Sequence, residues 1–233
     1  MNCLIIAAGL GSRLREISSS KPLAPVAGMP LIEHVVRAAA AGGATAFWVV
    51  TGHEAERVED FLAGLAARTG HPIVKIRTAD WQRPNGHSVL AGAKAIQGDY
   101  LLAMADHLFD PAIVRALIAA PRAGLILAVD RDLDGPLLDL DDATKVETAG
   151  DSIRRIGKTL DRYDAIDTGL FRATPALAEA IRAAIGAGGA GSLSEGVQRL
   201  ADEGQAMIVD VTGLRWIDVD DPAALARAEG HYG

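Results

Sequence analysis

The sequence contains one cysteine, only 4% aromatic residues and no excess of positive charge. A lone thiol, Cys3, closes no internal disulfide and fits a reducing compartment; lying in the first apolar run, it reads as a small buried hydrophobe. So few aromatic side chains disfavour a cage for a quaternary ammonium group. The 23 Lys and Arg stand against 30 Asp and Glu, a formal charge of −7, which argues against the basic face that nucleic acid requires. No apolar run approaches the roughly 20 residues that span a bilayer, and no charged n-region with an apolar h-region opens the chain. A cytoplasmic protein with neither nucleic-acid nor membrane partners is expected, and an anionic ligand would have to be held by a few placed cations.

What is present points to one α/β domain. Hydrophobic residues make up 49% of 233, enough for a sizeable core without a second domain, so residues 1–233 are read as one unit. The pattern predicts strands at Leu4–Ala8, Ala46–Thr51, Pro72–Arg77, Tyr100–Ala105 and Leu125–Val129. Helical spacing predicts helices over Pro30–Ala41, Glu54–Arg68, Ser88–Ile96 and Pro111–Ala120 between them. Such alternation implies a mainly parallel sheet covered on both faces, with ligands at the carboxyl ends of the strands.

From about Asp130 the pattern changes. Asp130–Asp142 is acidic and turn-rich, and the short runs Thr144–Glu147, Ile153–Gly157 and Ile166–Arg172 read as a largely antiparallel insertion over about 130–172. Two helices, Pro175–Ile185 and Ser194–Asp202, a strand at Ala206–Val211 and a helix from Pro222 complete the chain. The segment DRDLDG (Asp130–Gly135) imitates the start of a calcium loop, but its twelfth position is Asp141 rather than Glu and a strand precedes it, so calcium binding is rejected.

The first strand runs into a glycine-rich loop, LIIAAGLGSRL, followed by KPLAPV. A dinucleotide fingerprint would need a third glycine where Leu14 stands, and a P-loop would need Gly-Lys-Ser/Thr in place of Gly11-Ser12-Arg13. Neither fits. Glycines still let backbone N–H groups turn toward an anion, while Arg13 and Lys21 offer positive charge, and prolines around Lys21 stiffen its segment.

LIIAAGLGSRL…KPLAPVAGMPLI resembles the signature of nucleotidyltransferases that activate sugar-1-phosphates and related phosphomonoesters. RPNGHSVLAGAK, MADH, DDATKV with RIGK, and DTGLF follow in that order, and the set is most similar to CTP-using inositol-1-phosphate cytidylyltransferases over most of the chain. The resemblance, with the strand-helix alternation, implies a three-layer sandwich with a mixed, mostly parallel Rossmann-like sheet: the nucleotidyltransferase, glycosyltransferase-A-like fold. It implies that triphosphate lies over Ala7, Ala8, Gly9, Gly11 and Ser12, with Arg13 and Lys21 stabilising the leaving pyrophosphate. Asn85, Gly86 and Ser88 would lie near base and ribose, Lys145 would hold the acceptor's phosphate and act in catalysis, and Asp167 and Thr168 would approach its hydroxyls. From the residues alone, Lys145 equally fits a salt bridge with Asp141 or Asp142.

A triphosphate substrate calls for a divalent cation, here expected to be Mg²⁺. Asp106 follows the apolar strand LLAMA at the sheet's carboxyl edge, and Asp218 in WIDVDDP resembles the family's second metal aspartate, with Asp220 a weaker substitute. His107 is given a structural or metal-shell role, because a phosphate monoester is ionised near neutral pH and needs no base. The expected reaction is transfer of a cytidylyl group from CTP to inositol-1-phosphate, giving CDP-inositol and pyrophosphate. N-acetylmuramate-1-phosphate uridylyl transfer, phosphocholine cytidylyl transfer and a catalytically inactive nucleotide-binding regulator are the alternatives. Some relatives carry a membrane-embedded alcohol phosphotransferase; with no apolar segment of that kind through Gly233, such a step is expected to fall to another protein.

Overall fold

The computed structural model describes residues 1–135 and 138–232. Pro136 and Leu137, inside the expected insertion, and Gly233 lie outside the described residues. The amino-terminal half follows the predicted alternation: β1 (Asn2–Ala7), the short pair β2 (Pro25–Val26) and β3 (Met29–Pro30), α1 (Leu31–Gly42), β4 (Ala46–Thr51), α2 (Ala55–Thr69), β5 (Ile73–Arg77) and α3 (Gly86–Ala93). Then come β6 (Tyr100–Met104), β7 (His107–Phe109), α4 (Pro111–Ala119), β8 (Leu125–Asp130), β9 (Lys145–Ala149), β10 (Ser152–Gly157) and β11 (Ala165–Ala173). The chain closes with α5 (Pro175–Gly186), α6 (Leu193–Asp202), β12 (Ala206–Asp210), β13 (Trp216–Asp218) and α7 (Pro222–Tyr232).

Among the described residues the main sheet has nine strands in the order β5-β4-β1-β6-β11-β8-β12-β10-β9. β10 and β11 run against the other seven, so the sheet is mixed with most strands pointing one way. The segment expected as an antiparallel insertion does pair antiparallel, but it is built into the main sheet. β11 is not peripheral but sits between β6 and β8, and β9 pairs with both β10 and the first residues of β11. The reason is burial: eight of β11's nine residues face the interior, an apolar content that only a central strand can use.

Alternation along β1 builds two cores, one on each face of the sheet. Leu4 and Ile6 pack with Val89 of α3, Ile181 of α5 and Val197 of α6, while Cys3 and Ile5 pack with Val36 of α1, Leu62 of α2 and Leu117 of α4. These are the three layers. A third cluster lies at the carboxyl end of the strands, where Leu14 and Val26 meet Leu108 of β7, Ile217 of β13 and Leu225 of α7. Each such side chain contributes roughly 1.5–3 kcal/mol through burial. This cluster ties the glycine-rich loop to β7 and β13, which the sequence pattern did not reveal as a pair. Their antiparallel register puts Asp218 opposite His107.

Candidate active site

The glycine-rich loop leaves β1 at Ala7 and turns at Gly11, whose φ of +59° is in the left-handed region. A Cβ on Gly11 would lie 2.3 Å from Cβ of Lys21, so glycine is needed both for the turn and for the approach of the lysine stem. Lys21 begins a short turn of 3₁₀ helix and is only 7% exposed. Its ammonium lies 2.5 Å from Asp106 and also pairs with Asp220. Arg13 bridges Asp142 at 2.5 Å and Asp220 at 2.6 Å. Ala7, Gly9, Gly11, Ser12, Arg13 and Lys21 line one cavity of about 320 Å³, as a phosphate cradle would. Ala8 does not: it is buried, and its carbonyl accepts from the backbone N–H of His53 at 3.0 Å.

A second cavity, about 330 Å³, adjoins the first through Gly9, Asp106 and Asp220. Asp106 follows β6 and holds His107 Nδ1 at 2.8 Å, with Asp218 Oδ1 3.7 Å from the same nitrogen. Ligand atoms of Asp106, His107 and Asp218 all lie within 4.8 Å of one another, a candidate divalent-cation site. Asp218 Oδ1 is buried and makes no hydrogen bond, an orphaned acceptor that a cation would satisfy. Two hard carboxylate donors beside the cations of the glycine-rich loop fit a divalent cation.

The electrostatics follow from these contacts. Burial alone would raise the pKa of Asp106, but the Lys21 charge and the His107 hydrogen bond outweigh it and hold the carboxyl far below its ordinary range. Burial raises Asp218 to about 7, with the negative charges of Asp106 and Asp220 adding to the rise and His107 and Lys21 opposing it. His107 is pushed up to about 9, because the charge of Asp218 and the contact with Asp106 outweigh burial. In this state a proton on His107 supplies positive charge between two carboxylates. For Lys21, burial is likewise outweighed by Asp106, Asp218 and Asp220, which keep its ammonium charged.

Beyond this cluster the larger cavity is lined by Asn85 and Ser88 on one side and by Asp139, Asp142, Lys158 and Asp167 on another. Asn85 Oδ1 also accepts from Leu193 N–H at 2.9 Å, tying α3 to the start of α6. Gly86 serves that joint rather than the cavity, since a Cβ there would lie 2.3 Å from the Gly191 carbonyl oxygen. Asp167 accepts from Gly169 N–H at 2.7 Å, and burial pushes its carboxyl up to about 6.

Two residues expected on the acceptor side, Thr168 and Lys145, are not among those lining the cavity. Thr168 is fully buried and its hydroxyl donates to the Ala128 carbonyl at 2.8 Å, so it points into the sheet while its neighbour Asp167 points out. The Lys145 ammonium donates to the Lys158 carbonyl at 3.0 Å and lies 5.5 Å from the Tyr163 ring centroid. No ion pair joins it to Asp141 or Asp142; Asp142 pairs with Arg13 and Lys158 instead. Sequence reasoning named Asp142 only as a possible partner of Lys145, Lys158 only as part of RIGK, and Asp220 only as a substitute metal ligand; their ion pairs with Arg13 and Lys21 or with each other come from the structure. Asp218 and Asp220, two residues apart in an extended segment, share one face, and that spacing was the available signal.

Residues 3–203 match the family model of the MobA-like NTP transferase domain. The bifunctional IPC transferase and DIPP synthase of Rubrobacter xylanophilus is 37% identical over 97% of this chain and 50% of that protein. The CMP-5'-(3-aminopropyl)phosphonate synthase of Streptomyces rubellomurinus is 33% identical over 100% of this chain and 39% of its own length. The chain thus spans about half the length, or less, of these curated relatives. Among solved structures, the inositol-1-phosphate CTP transferase from T. maritima superposes with a TM-score of 0.86 at 21% identity, covering 98% of this chain and 96% of that one. That likeness shows the nucleotidyltransferase fold. With the glycine-rich loop, its cations and the paired carboxylates in place, the match across most of the chain makes this protein a member of the MobA-like NTP transferase family.

Proposed function

We propose that this protein transfers a cytidylyl group from CTP to inositol-1-phosphate with Mg²⁺, giving CDP-inositol and pyrophosphate. The observation that carries the reading is the meeting of Lys21, Asp106 and Asp218 at the border of two adjoining cavities, one suited to a triphosphate and one to base and acceptor. Similarity to the IPC transferase of R. xylanophilus and to the inositol-1-phosphate CTP transferase of T. maritima favours this acceptor.

In this reading the backbone of Gly9–Ser12 and the cations Arg13 and Lys21 orient the triphosphate and neutralise charge on departing pyrophosphate. Asn85 and Ser88 border the base and ribose, and Asp167 accepts from acceptor hydroxyls. Asp106 and Asp218 would hold Mg²⁺, which supplies charge neutralisation on the phosphates when bound. An acceptor phosphate oxygen attacks the α-phosphorus in line while the bond to pyrophosphate breaks. The acceptor's second ionisation lies near pH 6, so its oxygen needs no protein base. Catalysis then rests on positioning and electrostatics.

The test is pyrophosphate release across CTP, UTP, GTP, ATP and dTTP against inositol-1-phosphate, hexose-1-phosphates, N-acetylmuramate-1-phosphate, phosphocholine and 3-aminopropylphosphonate. A maximum at CTP with inositol-1-phosphate is expected. A maximum at the phosphonate would favour the second reading, which rests on the relative from S. rubellomurinus; no release with any pair would favour a nucleotide-binding regulator.

A further inference from the structure

Among the described residues five buried side-chain polar atoms have no hydrogen-bond partner. Two belong to residues on the wall of the larger cavity, Asp218 Oδ1 and Arg227 Nε, while the other three, on Ser20, Tyr100 and Arg199, belong to neither cavity. A cation accounts for the Asp218 oxygen. Nothing yet accounts for Arg227, and a buried N–H left unpaired costs free energy that native structures rarely leave uncompensated. Its guanidinium is always charged, yet no carboxylate among the described residues pairs with it, although Asp139, Asp167 and Asp221 line the same cavity.

The place of Arg227 is set by α7. Asp221 accepts from Ala224 N–H at 2.7 Å at the start of this helix, and Leu225 and Ala228 are buried in the cluster with Leu14, Val26 and Ile217. That anchoring leaves Ala224 and Arg227, three residues apart, on the cavity wall. Arg227 does not line the other cavity, where Arg13 and Lys21 stand. The chemistry of the wall says what such a donor is for. Carboxylates dominate it, and an ionised carboxylate only accepts hydrogen bonds. A polyol that gives its hydroxyl hydrogens to Asp139 or Asp167 still has oxygen lone pairs that need donors. Of the cations on this wall, Lys158 pairs with Asp142, and Arg83 lies 3.8 Å from Asp80. Arg227 is uncommitted.

Resting on the proposed phosphomonoester acceptor, we infer that Arg227 is an acceptor-recognition residue whose guanidinium donates to the hydroxyl oxygens of a polyol phosphate, completing the hydrogen bonds that the carboxylates begin. Selectivity for a polyhydroxylated acceptor then depends on α7, which lies beyond the stretch 3–203 shared with the family model.

The test is steady-state pyrophosphate release for wild type, Arg227→Met, Arg227→Lys and Arg199→Met, with KM for inositol-1-phosphate and for CTP determined separately and Tm measured for each. Cyclohexyl phosphate, which keeps the ring and the phosphate but has no hydroxyl group, is measured as a competitor of inositol-1-phosphate. Arg227→Met keeps the apolar stem and removes the guanidinium. It should raise KM for inositol-1-phosphate by about 10- to 100-fold, while KM for CTP and Ki for cyclohexyl phosphate move by less than about 2-fold. Its Tm should be unchanged or higher, because an unpaired buried donor is gone. Arg227→Lys keeps the charge without the planar fork; it should raise the same KM by about 3- to 10-fold and carries the comparison if the methionine variant does not fold. Arg199→Met removes an equally unpaired donor away from both cavities and should leave every constant within about 2-fold. An unchanged KM for inositol-1-phosphate, an equal loss of affinity for cyclohexyl phosphate, or a rise confined to CTP would each overturn the inference. The second result would assign Arg227 to the acceptor's phosphate and the third to the nucleotide. If wild type prefers another polyol or sugar phosphate, the inositol reading falls while the Arg227 test proceeds on that acceptor and its deoxy analogue; if only acceptors without hydroxyl groups are used, or none, both fall.

Discussion

On the phosphate-loop side of the cavity, Arg13 and Lys21 come from one short stretch after β1, and glycine and proline chemistry along that stretch shapes it. On the acceptor side, Asp142, Lys158 and Asp167 come from three segments that meet only because β9, β10 and β11 join the same sheet. The first side is a local structure carried by a strand end. The second is assembled by strand register, so neighbours in sequence need not share a role: Asp167 lines the cavity and Thr168 serves the sheet.

The largest expected effect lies on the local side. Lys21→Ala removes the buried ammonium between Asp106 and Asp220, and single-turnover rates should fall by about 100- to 1000-fold, the usual effect of losing one preorganised charge. Rates are compared on variants shown to be folded by circular dichroism. Retention of more than half the rate would break the contrast by showing that the phosphate side tolerates loss of its central cation.

The assembled side should show itself more in stability. Gly169 has a φ of +76°, and a Cβ there would lie 2.3 Å from His107 Cδ2, so Gly169→Ala should destabilise by about 2–4 kcal/mol in urea unfolding. Gly150 has a similar φ of +62° but open space around it, and its alanine variant should lose only about 1 kcal/mol. Equal losses would show that the packing of β11 against His107 is not what the position requires.

The smallest effect concerns Asp167. Its carboxyl titrates at about 6 in the folded protein, against an ordinary value of about 3.9 in an unfolded chain. Between those values the folded state binds more protons, so this group's contribution is full below pH 4, declines as pH rises and levels off above 6. Asp167→Asn should therefore be more stable than wild type by about 1–2 kcal/mol at pH 8, allowing for partial solvent access, with the gain vanishing near pH 4. Its acceptor KM should rise at the same time. A stability difference independent of pH would mean that the carboxylate is better solvated than its burial implies.

Most elements were legible from periodicity alone. β4 runs over Ala46–Thr51 and α5 begins at Pro175, as the apolar spacing and the helix-start proline indicate. The missed pair, β7 and β13, has three residues in each strand, too short for any periodic pattern. Yet this pair brings Asp218 to His107 and Asp106, and the apolar cluster of Leu108, Ile217 and Leu225 beneath it holds the pair in place. The directions of Lys145 and Lys158 were hidden for a related reason. Lys145 and Lys158 look equivalent as isolated cations, and only the hairpin register turns one toward a carbonyl and leaves the other at the cavity.

By itself the sequence determined the alternating α/β layers, the glycine-rich loop with its two cations, and the aspartate at the end of β6. These depend on backbone chemistry and side-chain periods that operate over a few residues. Tertiary structure alone decided how Asp218 reaches Asp106, which way Lys145 and Lys158 point, and why Asp167 lines the cavity while Thr168 is buried. Those depend on which strands lie side by side and in what register, a choice made by burying the whole sheet at once.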